Sequence, residues 1–369
     1  MKTYPKWLSA AVLSAMLASP AAALETKAKN VILMDYDTGE YLFAENAFVP
    51  VAPASMSKLM TVYVLFSKLK DGTLSLEDVF SVSENAWRTG GAASGSSTMF
   101  LPIGSKVTVE NLIKGIIIQS GNDACIVAAE NIAGSEEDFA ELMNAKAKEL
   151  GLKNSHFVNS TGLPHPDHRM SAEDLARLAQ ALIRDFPEYY SVFSQKSFTY
   201  NNILQGNRNP LLYSMPDADG LKTGHTAEAG FCLTASVKRG DRRLIGVMTG
   251  LKSNKERSEE AEKLMNWGFR EFNNYKVFKQ FQRIVSVPVY MGEEKSIDLA
   301  VDEDVIMTIA RSKARDVKLT AVYEKPVKAP VAQGDKLGEV KIEIPGGEVK
   351  TVPLYADHSI RKLGFWGRI

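Results

Sequence analysis

Three short motifs stand in one order along the 369 residues: Ser55-Met-Ser-Lys58, then Ser120-Gly-Asn122, then Lys222-Thr-Gly224. A fold that uses them together has to carry three distant segments to one point, which constrains this chain more than its composition does. Each string is weak alone. Ser and Lys are common enough that roughly one or two S-x-x-K strings are expected by accident in a chain of this length. Ser67-Lys-Leu-Lys70 and Ser359-Ile-Arg-Lys362 are such strings, and Ser83-Glu-Asn85 repeats the second pattern. Lys222-Thr223-Gly224 occurs once. Order, spacing and context therefore carry the reading, and the trio points to serine acyl transfer.

Around the first motif, Pro53 suits the first turn of a helix, and the apolar run from Leu59 to Leu69, stopped by Asp71-Gly72, predicts a buried helix with Ser55 at its N-terminal end. Unpaired N–H groups and the positive end of the dipole favour an alkoxide or a neighbouring oxyanion there. Lys58, three residues on, shares the face of Ser55. A lysine acts as base for a serine only if burial or another cation lowers its pKa, and Lys222 offers that cation. An N-cap role is the plain alternative for Ser55, and the other two motifs weigh against it. Ser67 and Lys70 are expected at the solvated end of the same helix.

Ser120-Gly-Asn122 falls between residues 112–119 and 123–130, two apolar helix-like segments, so the polar triplet reads as a short connection whose side chains point into a cleft. There Ser120 would relay a proton between Lys58 and a leaving amine, and Asn122 would offer its amide to a substrate carbonyl. The third motif runs on through His225-Thr226 to the strand-like residues 231–237. Lys238-Arg-Gly-Asp241 then leads to a second strand-like run at 243–248, giving a hairpin. An extended Lys-Thr-Gly edge lets a peptide pair along the backbone, with Gly224 removing a side chain that would block it. Lys222 and Thr226 are well typed to hold a carboxylate.

From about residue 30 to residue 272 the sequence resembles the penicillin-binding domain of low-molecular-mass D-alanyl-D-alanine carboxypeptidases of the penicillin-binding protein 5/6-like family. Beyond the motifs, Ser-Glu-Asn-Ala-Trp at 83–87, Gly-Ser-Ser-Thr-Met-Phe-Leu at 95–101, Gln-Ser-Gly-Asn-Asp-Ala-Cys at 119–125, Asn207-Arg-Asn209 and Lys-Thr-Gly-His-Thr at 222–226 resemble that family's text. The resemblance implies Ser55 as nucleophile, Lys58 as general base, Ser120 as a third catalytic residue and Asn122 as a cleft residue. Lys222, Thr223, Gly224, His225 and Thr226 would line the substrate strand, with the backbone N–H groups of Ser55 and His225 as oxyanion hole. It implies a serine-type carboxypeptidase acting on peptidoglycan stem pentapeptides and trapped by β-lactams, with no cofactor and no metal. In some relatives an Arg after the Gly-Gly that follows the second core strand is thought to hold the substrate carboxylate. Thr249-Gly250-Leu251-Lys252 has none, which leaves Lys252, Arg208 and Thr226 as candidates.

The implied fold is α+β: a β-lactamase/transpeptidase-like catalytic domain, an antiparallel sheet flanked by helices, over residues 24–275, then a small all-β domain over 276–356. Residues 31–44, turning at Asp37-Thr-Gly39, are the expected opening hairpin. Short apolar runs beginning at Ile284, Val305 and Leu337, separated by Gly, Pro and charge, read as the β domain.

Lys2 and Lys6, an apolar stretch from Trp7 to Leu17 and Ala21-Ala-Ala23 read as a secretory signal peptide, residues 1–23. No other segment has the roughly 20 apolar residues of a membrane span, so the expected site of action is the periplasm or the outer face of the cytoplasmic membrane. Basic and acidic residues number 44 each; the leader holds two lysines and no acid, which leaves 42 against 44 and no nucleic-acid signature. Residues 357–369 mix Leu363, Phe365, Trp366 and Ile369 with three cations, the composition of a membrane-surface segment, although the tail is short and holds two glycines.

Two cysteines in an oxidising compartment invite a Cys125–Cys232 disulfide, but their separation is not legible in sequence and two buried free thiols are the favoured reading. His165-Pro-Asp-His168 reads as a surface loop, since no further ligand cluster accompanies the pair. A class A β-lactamase is disfavoured because the E-x-x-L-N string of its deacylating Glu is missing, Glu141-Leu-Met-Asn144 having the wrong spacing. A silent wall-binding protein would have lost Ser55 or Lys58. A D,D-endopeptidase on the same fold stays open.

Overall fold

Asn30–Asp35 (β1) is buried at every position, and a strand apolar on both faces has to lie inside a sheet covered on both sides. The computed structural model, which describes residues 24–347 and 349–364, puts it there. The expected leader at 1–23 lies outside the described residues, as do residues 365–369 of the tail. β1 turns through Gly39, at φ +71°, into Tyr41–Glu45 (β2), and the two pair antiparallel.

The chain then leaves the sheet. A 3₁₀ turn, Ala54–Ser57, runs into Lys58–Lys70 (α1), buried from Lys58 through Phe66. A helix apolar all round belongs in a core, and α1 is closed by Asp71 and by Gly72 at φ +76°. A ribbon of Val79–Ser81 (β3) and Lys106–Thr108 (β4) follows. Around α1 stand Val109–Lys114 (α2), Asn122–Ala133 (α3), Glu136–Glu149 (α4), Ala172–Asp185 (α5) and the short Pro187–Tyr190 (α6). A second ribbon, Ser197–Tyr200 (β5) with Ile203–Gly206 (β6), and Leu211–Ser214 (α7) lead back. Ala218–Thr226 (β7), Gly230–Arg239 (β8) and Arg242–Leu251 (β9) complete a five-stranded antiparallel sheet in the order β2-β1-β9-β8-β7, so β7 is an edge. Asn254–Glu271 (α8) covers the other face.

Strand alternation sorts the two cores. Ile32 and Met34 face the bundle of α1, α3 and α5, whereas Val31 and Leu33 face Leu264, Met265 and Phe269 of α8. Gly268 sets that second approach, because a Cβ there would stand 2.5 Å from Leu33 Cδ2.

From residue 272 every strand belongs to a separate β unit: Phe272–Phe278 (β10), Arg283–Tyr290 (β11), Ser296–Ala300 (β12), Val305–Ala310 (β13), Lys318–Tyr323 (β14), Val327–Lys328 (β15), Lys336–Glu343 (β16) and Val349–Ala356 (β17). β10 pairs with β13, and the rest form a six-stranded sheet in the order β14-β16-β17-β12-β11-β15 over a core that includes Val287, Leu299, Val340 and Leu354. α8 runs straight into β10. Across the seam Asn274 Nδ2 donates to Asp35 Oδ1 at 3.0 Å, and Thr38 and Thr308 share a hydroxyl contact of 2.5 Å.

Candidate active site

Ser55 sits half-buried in the 3₁₀ turn ahead of α1, and Lys58 opens the helix with no exposure. Helical spacing puts Lys58 Nζ 3.0 Å from Ser55 Oγ. The same nitrogen lies 2.7 Å from Asn122 Oδ1 and 2.5 Å from the Thr161 carbonyl oxygen. The nature of these three neighbours decides where protons go. Two are carbonyl oxygens, which only accept, so a neutral amine must point its two N–H groups at them. Its lone pair is left for the one neighbour with a proton to give, the Ser55 hydroxyl. Burial pulls the Lys58 pKa down to about 8, helped by the Arg208 charge and opposed by Cys125, Glu136 and Asp123. The lowering comes first from burial, and the cation that adds to it is Arg208, where the sequence reading looked to Lys222.

Thr161 belongs to a loop, residues 156–169, closed at its base by the His156–Arg169 bridge and tied to the chain before Ser55 by the Val51–Met170 bridge. Asn159 Oδ1 accepts from the N–H groups of Thr161 and Gly162, at 3.2 and 2.7 Å. Gly162, at φ +76°, approaches so closely that a Cβ would stand 2.1 Å from the Ala54 carbonyl oxygen; only glycine allows that contact. Of the two histidines read as a surface pair, His165 is exposed, but His168 is buried and bonded to Ser57.

Ser120 follows the widened turn Gly115–Gln119 in a left-handed conformation, φ +66°, and its hydroxyl meets Lys222 Nζ at 2.9 Å. It is therefore bonded to Lys222, where the sequence reading coupled it to Lys58. Asn122 begins α3 with its amide engaged inside the site: Oδ1 accepts from Lys58, and Nδ2 donates to Ser96 Oγ at 3.0 Å. The buried Asp123 carboxylate gathers Thr98 Oγ1, the Met99 N–H and the Leu101 N–H, folding residues 97–101 into a cleft wall. Cys125 and Cys232 are both buried free thiols.

Lys222, Thr223 and Gly224 stand in β7 opposite Thr234, Leu233 and Cys232. A Cβ on Gly224 would lie 3.0 Å from Ala54 Cβ and 3.2 Å from Ser55 N, so glycine brings the edge strand against the nucleophile turn. Lys222 is buried and donates to Ser120 Oγ and to the Thr223 carbonyl. Burial first, then the charges of Lys58 and Arg208, push its pKa well below the ordinary lysine value. Thr223 is buried, the exposed His225 ring stacks on Phe231 at 4.0 Å, and Thr226 Oγ1 accepts from the Ala229 N–H.

Among the carboxylate candidates, Arg208 Nη1 reaches Ser97 Oγ at 2.5 Å on the cleft wall, whereas Lys252 is exposed beyond β9. The sequence reading misses Arg257. It sits in the first turn of α8, where the dipole disfavours a cation, and that oddity was the available signal. Arg257 is 6% exposed, its Nη1 3.4 Å from the Gly224 carbonyl, its Nη2 bonded to Asn254, its Nε without a partner. Burial lowers its pKa to about 10, and no carboxylate among the described residues pairs with it. Arg208 and Arg257 line one open cavity of about 580 Å³.

A D-alanyl-D-alanine carboxypeptidase domain matches residues 16–253, and the C-terminal domain of penicillin-binding protein 5 matches residues 272–362. The chain belongs to the D-alanyl-D-alanine carboxypeptidase family. The D-alanyl-D-alanine carboxypeptidase DacC of Escherichia coli K12 is 42% identical over 341 residues, 92% of this chain and 85% of its own. Penicillin-binding protein 5 from Haemophilus influenzae has a crystal structure similar at a TM-score of 0.81 and 37% identity, covering 92% of this chain and 99% of its own. The DD-transpeptidase of Streptomyces K15 covers 67% of this chain and 98% of its own at a TM-score of 0.63 and 27% identity. Family and fold agree with the α+β carboxypeptidase reading. The near-miss to a β-lactamase string has a structural role in this carboxypeptidase: Asn144 bonds the Phe157 backbone in both directions and Glu141 is exposed.

Proposed function

We propose that the chain is an exported serine carboxypeptidase that removes the terminal D-alanine of peptidoglycan pentapeptides through an acyl-enzyme on Ser55. The observation that carries this reading is the Lys58 amine, held by Asn122 and Thr161 with its lone pair left for Ser55. Lys58 takes the hydroxyl proton while Ser55 Oγ bonds to the carbonyl carbon of the penultimate D-alanine. The charge that develops on the carbonyl oxygen is met by the backbone N–H groups of Ser55 and His225. Collapse breaks the C–N bond, and the departing D-alanine nitrogen takes, through Ser120 beside Lys222, the proton that Lys58 had gained, which returns Lys58 to the neutral amine. Water then attacks the ester, its proton passing to Lys58 and on to Ser55 Oγ as the shortened peptide leaves. A β-lactam amide in the same place forms the same ester.

The stem peptide lies along the free edge of β7 as an added strand. Its terminal carboxylate is taken by the Arg208 and Arg257 cavity in preference to Thr226 or Lys252. Residues 1–23 act as the export signal, which puts the working place in the periplasm or at the outer face of the cytoplasmic membrane, and no helix among the described residues is long and apolar enough to cross a membrane. Lys362 bridges to Gly292, and the Leu363 N–H donates to the Met291 carbonyl, next to exposed Tyr290 and Met291. The tail thus leaves beside an exposed apolar pair, which supports contact with a membrane surface.

Mature protein is expected to release D-alanine from a diacyl-L-Lys-D-Ala-D-Ala peptide, with Ser55→Ala slower by at least about a thousandfold; equal rates would sink the Ser55 assignment. In the same assay Arg257→Leu raises KM by roughly ten- to a hundredfold, and an unchanged KM would move the carboxylate site elsewhere. Removing residues 365–369 together with Tyr290→Ser weakens binding to phosphatidylglycerol vesicles about tenfold; unaltered binding would rule the tail out as a membrane contact.

A further inference from the structure

The loop that supplies the Thr161 carbonyl grips the nucleophile turn at a second point. His168 Nε2 lies 2.7 Å from Ser57 Oγ, with 2% and 0% of the two residues exposed. On the other side of the ring the Val158 N–H points at Nδ1, at 3.3 Å. A backbone N–H only donates, so Nδ1 is the acceptor and the ring hydrogen sits on Nε2, where it donates to Ser57. Burial, then the charges of His156 and Lys58, lower the His168 pKa to about 4, which keeps the ring neutral in this role. Phe157 packs against the imidazole edge to face, 5.6 Å between centres and 86° between planes.

Ser57 stands between the two reacting residues in sequence, two after Ser55 and one before Lys58. The loop therefore holds the turn from both sides: Thr161 through its carbonyl on Lys58, His168 through its ring on Ser57. Between the two grips Gly162 lies with its would-be Cβ 3.0 Å from Ser57 Cβ. The Val51–Met170 bridge and the Thr61 hydroxyl on the Ser160 carbonyl, at 2.6 Å, also hold the loop, and the His168 hydrogen bond is the side-chain tie to the turn itself, next to the Lys58 whose lone pair it helps to direct.

We propose that His168 is a positioning residue for the Ser55–Lys58 pair, acting through Ser57 to hold the loop carbonyl that orients the base. The inference rests on Ser55 and Lys58 being the reacting groups. The ring touches neither β7 nor the arginine cavity, so its loss changes the chemical steps and not the binding of the peptide.

The test compares kcat and KM for a diacyl-L-Lys-D-Ala-D-Ala peptide, per site titrated with a fluorescent penicillin, in wild type, His168→Leu, His168→Gln, Ser57→Ala and the His168→Leu/Ser57→Ala double variant. His168→Leu is expected to lower kcat by roughly ten- to a hundredfold with KM within about twofold. His168→Gln restores most of the rate, because its amide oxygen accepts from Val158 and its nitrogen donates to Ser57. The double variant is no slower than the worse single one, since both remove the same bond. Wild-type kcat in a folded His168→Leu, an equal defect in Leu and Gln, or additive losses would each overturn the proposal. Should His168→Leu fail to fold, Ser57→Ala decides: a kcat loss of the same size supports the latch and a wild-type kcat refutes it. Activity retained in Ser55→Ala would instead break the reading of the reacting pair, which separates the two failures.

Discussion

A lysine amine with no access to water, facing one hydroxyl and two carbonyl oxygens, is the contact on which the rest of this molecule depends. Burying a charge without a counter-charge is costly, and burying a neutral amine with both its N–H groups satisfied is far less so. Lys58 has no carboxylate partner; it has Asn122 and Thr161. The fold thereby lowers the pKa of Lys58 to about 8 and brings the state in which the amine can accept from Ser55 within reach of neutral pH. Three separate stretches of chain have to converge for this: the turn before α1, the start of α3 and the loop at 156–169.

The sheet brings in the second half of the site. β7 pairs only with β8 and so ends the sheet, and glycine at 224 lets that edge lie against the nucleophile turn. A free strand edge beside an activated serine is a template for an extended peptide. Three cations gather around the cleft, Lys222, Arg208 and Arg257, all partly or wholly desolvated. Their mutual repulsion is relieved by an anion, and a peptide with a free carboxylate brings one. The β unit beyond residue 272 is joined through α8 and the Asp35–Asn274 contact and adds nothing to this cleft; its exposed rim carries the C-terminal tail.

What could be read in the sequence was the part carried by side chains in contiguous strings. Ser55 and Lys58 lie one helical turn apart, so their contact is local. The apolar run of α1 and the Gly240-Asp241 turn between β8 and β9 are equally local. What could not be read is whatever the backbone or a distant partner supplies. Thr161 contributes a carbonyl, which any residue type has, and so leaves no mark. His168 meets Ser57 across 111 positions, and a histidine in a polar loop looks solvated until its partner is known. Arg257 contacts backbone oxygens of β7 and β8 from the start of α8. Ser120 was recognisable as a cleft residue, but its bond to Lys222 depends on a left-handed backbone conformation that the string Ser-Gly-Asn does not reveal.

The most direct test of the buried neutral base is the rate constant for acylation of the wild-type enzyme by a penicillin, measured against pH. A protonated Lys58 has no lone pair for Ser55, so the rate constant should fall about tenfold for each pH unit below a pKa near the value of about 8 that burial gives this lysine. A rate constant that stays level from about pH 5 to about pH 9 would contradict Lys58 as the base.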